Sequence, residues 1–287
     1  MITYLQAIIL GLSQGVTELF PISSLGHSVL LPYLLGWHLS QSSNIFLVFL
    51  IFTHLATALV LFGFFLKDWK LIITGIFRSI KIRAIRKDDT YALLGWRIIV
   101  ATIPVGIFGI LFEEKFKQLF SAPKIISGFL ILNAGILYFS EVLKNRQKKL
   151  QVSSADNTAS DEEIAKISWW QSIKIGLAES LALFPGISRT GSTIGGGILT
   201  GLNHENSARF SFLLATPVIF AAAILKLPDL ISADLASQTG PIIVGAIASG
   251  IGAFFSVKFL TKYFENKTLR PFAVYCLLVG VITLILL

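Results

Sequence analysis

Charge is scarce in this chain, and what it lacks sets the first limits. Only 14% of its 287 residues are Asp, Glu, Lys or Arg, against about a quarter in an ordinary globular domain. There is one cysteine, Cys276, which lies in an apolar run, so a disulfide framework and a CxxC metal or redox motif are both excluded. The N-terminus lacks a basic segment leading into a small-residue cleavage site, so no signal peptide is expected and the mature chain is taken to begin near Met1. Glu18 is the only formally charged residue among the first 44. A basic stripe with interleaved aromatics is also missing. The net charge of +8 gathers instead in short segments between apolar runs, which speaks for topology signals and lipid-surface contacts and against nucleic acid.

Apolar residues are abundant. Hydrophobic residues make up 54% of the sequence, and the mean hydropathy is +0.76. The fold class expected is an all-α polytopic membrane protein. Six runs approach or exceed the roughly 20 residues that cross a bilayer core: about 45–66, 93–112, 124–143, 208–227, 239–260 and 270–287. Two further regions, about 4–36 and 169–203, are apolar but interrupted by Pro, Gly, Ser and charge. Irregular backbone is tolerated at membrane depth only where protein or a water-filled cavity surrounds it, so each reads as a re-entrant helix-loop-helix hairpin.

The polar stretch 144–168 reads as a linker within a single membrane domain, 1–287, separating a first repeat of about 1–143 from a second of about 169–287. Superposing "GLSQGVTELFPISSLGH" (11–27) on "GLAESLALFPGISRTGS" (176–192) without a gap pairs Gly11 with Gly176, Ile22 with Ile187, Ser23 with Ser188 and Gly26 with Gly191. It also sets Gln14 against Glu179. Each segment precedes three spanning runs, an odd number, so the second half enters the membrane upside down. This inverted-topology repeat places a site where the broken helices meet near the midplane. Lys and Arg concentrate in the loop at 67–87 and in the linker. Both are expected inside, with the segments 113–123 and 228–238 and both termini outside.

Gln14 and Glu18 share one helix face, and the chain turns at Pro21 before Ser23, Ser24 and His27. The second turn, "PGISRTGST" (185–193), offers Arg189 with Ser188, Thr190 and Thr193 at the start of a half-helix, a combination suited to phosphate. An ionisable side chain at membrane depth is functional by default, which singles out Glu18 and Arg189; a structural pair between them is the plainer alternative. Glu179 is read as supporting the site together with Gln14. His54, alone in the first span, is read as a contact between helices, and His38 and His204 as solvated near the interfaces.

Residues 14–27, "QGVTELFPISSLGH", and 185–193, "PGISRTGST", resemble the two signatures of the bacterial undecaprenyl-diphosphate phosphatase family, also called bacitracin-resistance proteins. The resemblance extends over essentially the whole chain, including "FSFLLATPV" at 210–218. Two departures are Gln14, which that family's Glu-or-Gln pattern permits, and Thr190 in place of a serine. The resemblance implies hydrolysis of undecaprenyl diphosphate to the monophosphate and phosphate, recycling the lipid carrier of cell-wall synthesis and conferring bacitracin resistance. It further implies a multi-pass protein of the bacterial plasma membrane with a pocket facing the outer side, a homodimer, and a divalent cation, Mg or Ca, with Glu18 as a candidate metal ligand.

The catalytic set expected is Glu18, holding the metal or acting as base, with Ser24, His27 and Arg189. Ser23, Ser188, Arg189, Thr190 and Thr193 are the expected phosphate contacts. The nucleophile is Ser24 assisted by His27, which lies one turn away, or else His27 itself or water. A polyprenyl-phosphate flippase or anion transporter using the same pocket is the competing function.

Overall fold

Two helix starts carry the same signature. Thr3 and Gln6 exchange side-chain and backbone hydrogen bonds in a capping box that opens α1 (Tyr4–Leu19). Ser168 and Gln171 do the same for α8 (Trp169–Ser180), at the offset that superposes Gly11 on Gly176. Each box satisfies two otherwise orphaned N–H groups. A computed structural model describes residues 1–40, 43–112, 115, 119, 122–150, 161–226 and 238–287, with the backbone alone for 145–150. The expected outer loops and the middle of the linker fall almost wholly outside the described residues.

Among the described residues every regular element is a helix and there is no strand. After α1 come α2 (Ser24–Leu34), α3 (Asn44–Phe64), α4 (Leu66–Ile82), α5 (Thr90–Leu111), α6 (Pro123–Leu150) and α7 (Asp161–Ala165). Then follow α8, a single 3₁₀ turn (Leu181–Leu183), α9 (Arg189–Leu199), α10 (His204–Leu225), α11 (Thr239–Asn266) and α12 (Arg270–Leu286). Five of these are long and apolar enough to cross a bilayer, namely α3, α5, α10, α11 and residues 123–144 of α6. Helix α12 is apolar over 17 residues. The chain is a multi-pass membrane protein.

Its outer surface carries side chains such as Ile103, Ile110, Phe139, Ile247, Phe255 and Ile285, while Gln14, Glu18, Ser24, Asn133 and Glu179 are buried. Polar inside and apolar outside is the arrangement that lipid requires of a site-bearing bundle.

The four short helices occur in pairs. With 16, 11, 12 and 11 residues at about 1.5 Å per residue, none of α1, α2, α8 and α9 reaches the roughly 30 Å of a hydrocarbon core. Helix α1 packs along α11, and α8 along α5. Gly11 lies against the backbone of Gly245, and Gly176 against that of Ala101. The absence of a Cβ is what lets the helix pairs approach so closely. Gly195, Gly196 and Gly197 do the same for α9, which touches Ser140 of α6, Ala178 of α8 and Ser207 of α10 through those positions.

Two regions differ from the sequence expectation. The basic segment after the first span is a helix, α4, with Trp69, Ile72, Gly75 and Ser79 buried and Leu71, Phe77 and Ile80 exposed. It is tied down by Arg78, whose Nε and Nη2 each donate to Asp89 at 2.7 Å. That guanidinium holds the Asp89 carboxyl below its ordinary range. Helix α6 continues through "KNRQKKL" to Leu150, because Lys, Arg, Gln and Leu are all good helix formers. The end of the linker forms α7, clipped by Arg209, which donates to Asp161 at 2.7 Å and to Asp68 of α4 at 2.9 Å.

Candidate active site

The two interrupted segments meet at their turns. Pro21 ends the path of α1, and Ser23 takes a left-handed backbone, φ 70°, to cap α2. Its Oγ accepts N–H bonds from Gly26 at 3.3 Å and from Gly186 of the other turn at 3.2 Å. Gly186 itself needs positive φ, 111°, which glycine adopts without a steric penalty. Ser188 caps α9 by accepting from Gly191 N at 3.1 Å. Asn133 of α6, fully buried, joins the turns: its Nδ2 donates to the Pro21 carbonyl at 3.1 Å, and its Oδ1 accepts from Ser188 N at 3.0 Å. Two helix N-termini, at Ser24 and Arg189, are thereby held side by side, and such ends favour anions.

Glu18 stands at the junction. Its Oε1 accepts from Arg189 Nη2 at 2.9 Å and Nε at 3.3 Å. Its Oε2 accepts from Ser24 Oγ at 2.5 Å and from Gln14 Nε2 at 3.1 Å. His54 of α3 places Nε2 at 3.2 Å from the same oxygen, its ring fixed by a bond from Nδ1 to the Leu50 carbonyl at 2.7 Å. A hydroxyl held against a carboxylate is an arrangement that can serve a nucleophile and its general base. Several buried polar atoms here have no partner among the described residues: Arg189 Nη1, Gln14 Oε1, Ser192 Oγ and both carboxylate oxygens of Glu179. Buried groups of this kind are normally satisfied by solvent or a bound ligand.

The structure thus brings together Gln14, Glu18, Ser24 and Arg189. It sends His27 elsewhere. The His27 Nδ1 is bonded to the Ser23 carbonyl at 2.7 Å, and Nε2 lies 2.8 Å from the Tyr275 hydroxyl, with the two rings stacked. Among the described residues Ser24 and His27 are not hydrogen-bonded to one another: local backbone bonding and an aromatic partner on α12 aim the imidazole elsewhere, and Glu18 is the group on Ser24. The expected phosphate-binding hydroxyls are also committed internally. Ser23 and Ser188 stitch the turns, Thr190 donates to the Glu18 carbonyl at 2.9 Å, and Thr193 bonds to the Arg189 carbonyl at 2.8 Å and to Ser211. Glu179 is buried in α8, with Arg189 the charged group that faces it.

His54, Asn133 and Tyr275 are residues that sequence reasoning did not assign here. The available signal for His54 was its ionisable ring in a span with no formal charge.

A resident metal ion does not fit these donors. Among the described residues no three His, Cys, Asp or Glu side chains gather as a metal site. Both oxygens of the Glu18 carboxylate are engaged, one of them by a guanidinium.

The fold and this site define a polytopic membrane protein with a buried serine, glutamate and arginine where two half-length helix pairs meet. Comparison with known proteins is specific. The family model for bacitracin resistance protein BacA matches residues 7–282, and the chain belongs to that family. It is 42% identical over 293 residues to an undecaprenyl-diphosphatase of Mycobacterium avium (strain 104), covering 97% of this chain and 95% of that one. It is also similar to undecaprenyl-diphosphatase 2 of Frankia alni, at 39% over 332 residues with 97% and 96% covered. The undecaprenyl-diphosphatase of Granulibacter bethesdensis is 40% identical over 282 residues, with 96% and 94% covered.

Proposed function

We propose that this chain is an undecaprenyl-diphosphatase, releasing phosphate from undecaprenyl diphosphate and leaving undecaprenyl phosphate, with bacitracin resistance as the consequence of carrier recycling. The observation that carries the mechanism is the Ser24 hydroxyl seated on Glu18 at 2.5 Å, beside an arginine with a free N–H.

Ser24 Oγ attacks the terminal phosphorus, and its proton passes to Glu18 Oε2. The anhydride P–O bond breaks and undecaprenyl phosphate departs with the electron pair. Glu18 gives that proton to the departing undecaprenyl phosphate and is a carboxylate again. Water then attacks the phosphoserine, Glu18 takes the water proton and returns it to Ser24 Oγ as the P–O bond to serine breaks, leaving inorganic phosphate as the product. Phosphoryl transfer depends chiefly on positioning and on neutralising the equatorial oxygens. Arg189 Nη1 and the N–H groups at the start of α2 and α9 serve that purpose, since the neighbouring hydroxyls are spent on the framework. The divalent cation implied by the resemblance enters as part of the substrate, as the Mg or Ca complex of the diphosphate, a role in which the phosphates supply most of the ligands.

The shared capping boxes, the paired glycine contacts and the short paired helices support the reading of two inverted repeats, with α1/α2 and α8/α9 as re-entrant hairpins and α12 as the sixth span. The basic α4 and linker favour an inside position for those segments, and the reading continues with the plasma membrane and a pocket opening to the outer side. A homodimer completes the reading. A flippase or anion transporter has no use for a serine hydroxyl seated on a carboxylate, and that alternative lacks support.

The deciding assay is phosphate release from a polyprenyl diphosphate by the purified chain in detergent. Detergent abolishes vectorial transport and leaves hydrolysis intact. Release that disappears in Ser24→Ala is the expected result; none from the wild type would overturn the reading.

A further inference from the structure

His54 is the only ionisable residue of α3, and its two ring nitrogens face two oxygens that can only accept. The Leu50 carbonyl, 2.7 Å from Nδ1, requires a proton on Nδ1. Glu18 Oε2, 3.2 Å from Nε2, requires a donor there as well, so the second proton belongs on Nε2 and leaves Oε2 able to take the Ser24 proton. Without it, two lone pairs would face each other in a buried site. The charged groups facing His54 are Glu18 from α1 and, beyond it, Arg189 from α9. The neighbouring α11 contributes a hydroxyl, Ser249, bonded to the Thr53 carbonyl and to Thr57.

We infer that His54 is a positioning residue for the hydrolysis, holding Glu18 Oε2 against Ser24 through one shared proton. This deepens the proposed function and rests on the reading of Ser24 and Glu18 as nucleophile and base. Oε2 is gripped from three elements: Gln14 of α1, Ser24 of α2 and His54 of α3. Arg189 anchors the other oxygen. Loss of the shared proton turns the His54 contact from attractive to repulsive, and Glu18 moves off the line to Ser24.

The test has one arm without activity and one with it. The chain holds four histidines, so ¹⁵N-histidine labelling in detergent gives a readable spectrum, with His54 assigned by its disappearance in His54→Gln. At neutral pH the Nε2 signal is expected to be displaced from that of a bare imine nitrogen. A bare Nε2 would overturn the inference whether or not the chain hydrolyses anything.

In the kinetic arm, His54→Leu is expected to lose about 10- to 100-fold in kcat with KM little changed, the factor that one hydrogen bond to a charged group supports. His54→Gln, which keeps an N–H toward Glu18 without an ionisable proton, should recover most of that loss. It should also lack the alkaline limb of the wild-type pH profile. Full activity in His54→Leu, or the same alkaline limb in His54→Gln, would overturn the inference. A wild type that releases no phosphate at all would instead sink the functional reading and leave the spectrum to judge the shared proton.

Discussion

Arg189 has two tasks in this account, and substitution can separate them. Its Nη2 and Nε hold Glu18 Oε1, its Nη1 has no partner among the described residues, and only 13% of its side chain and 5% of that of Glu18 are exposed. Arg189→Ala leaves the Glu18 carboxylate buried without its guanidinium. Removing one partner of a buried pair costs about 3–5 kcal/mol, a large share of a typical total of about 5–15 kcal/mol. This variant should therefore lose both melting temperature and activity. Arg189→Lys retains the charge but presents a single ammonium, which cannot hold Glu18 and reach a phosphate oxygen together. Loss of one charge-assisted hydrogen bond, about 1.5–3 kcal/mol, gives a fall in kcat/KM of roughly 10- to 100-fold with a much smaller loss of stability. The assays are phosphate release from a polyprenyl diphosphate and thermal melting, both in the same detergent. A lysine variant with near wild-type kcat/KM would refute the division, because a point charge would then suffice.

Asn133→Leu should destabilise the fold by about 2–6 kcal/mol, since it leaves Ser188 N and the Pro21 carbonyl buried and unpaired at about 1–3 kcal/mol each; Asn133→Asp, which keeps the acceptor for Ser188, should melt between that variant and the wild type. Glu179→Gln should fold at least as well as the wild type and stay active, because both oxygens of the carboxylate are buried without a partner among the described residues and an amide is cheaper to bury; a large loss of turnover would bring Glu179 into the reaction. Gly11→Leu and Gly176→Leu should each abolish folded protein by size-exclusion chromatography, because the new side chain meets the backbone of Gly245 or Ala101. A well-folded variant of either would mean that those helix pairs are not tightly packed.

The apolar runs made the long helices legible, and the Pro, Gly and charge inside two of them exposed the short pairs. Helix α4 was hidden because its buried Trp69 and Ile72 alternate with Lys67 and Lys70, so the segment reads as a basic loop unless the helical period is sought. Glu18 and Arg189 stood out as charges in hydrocarbon, and they do meet. His27 misled because a three-residue spacing allows contact with Ser24 without requiring it; the ring direction is set by the Ser23 carbonyl and by Tyr275, far along the chain. His54 and Asn133 reach the site from α3 and α6, and no local pattern links either to the turns. The hydroxyls of Ser188, Thr190 and Thr193 were recognisable as polar groups at a helix start. Their use in stitching the framework depends on tertiary partners such as Phe20, Glu18 and Ser211.

The central claim is that Ser24, activated by Glu18, takes the phosphoryl group. Rapid quenching of the enzyme with substrate labelled in its terminal phosphate tests it directly, because phosphoserine survives acid and phosphohistidine does not. The account predicts acid-stable label on Ser24 that is absent from Ser24→Ala and strongly reduced in Glu18→Gln, while His27→Ala still acquires it. Acid-labile label that vanishes in His27→Ala, or turnover without label on any residue, would contradict it.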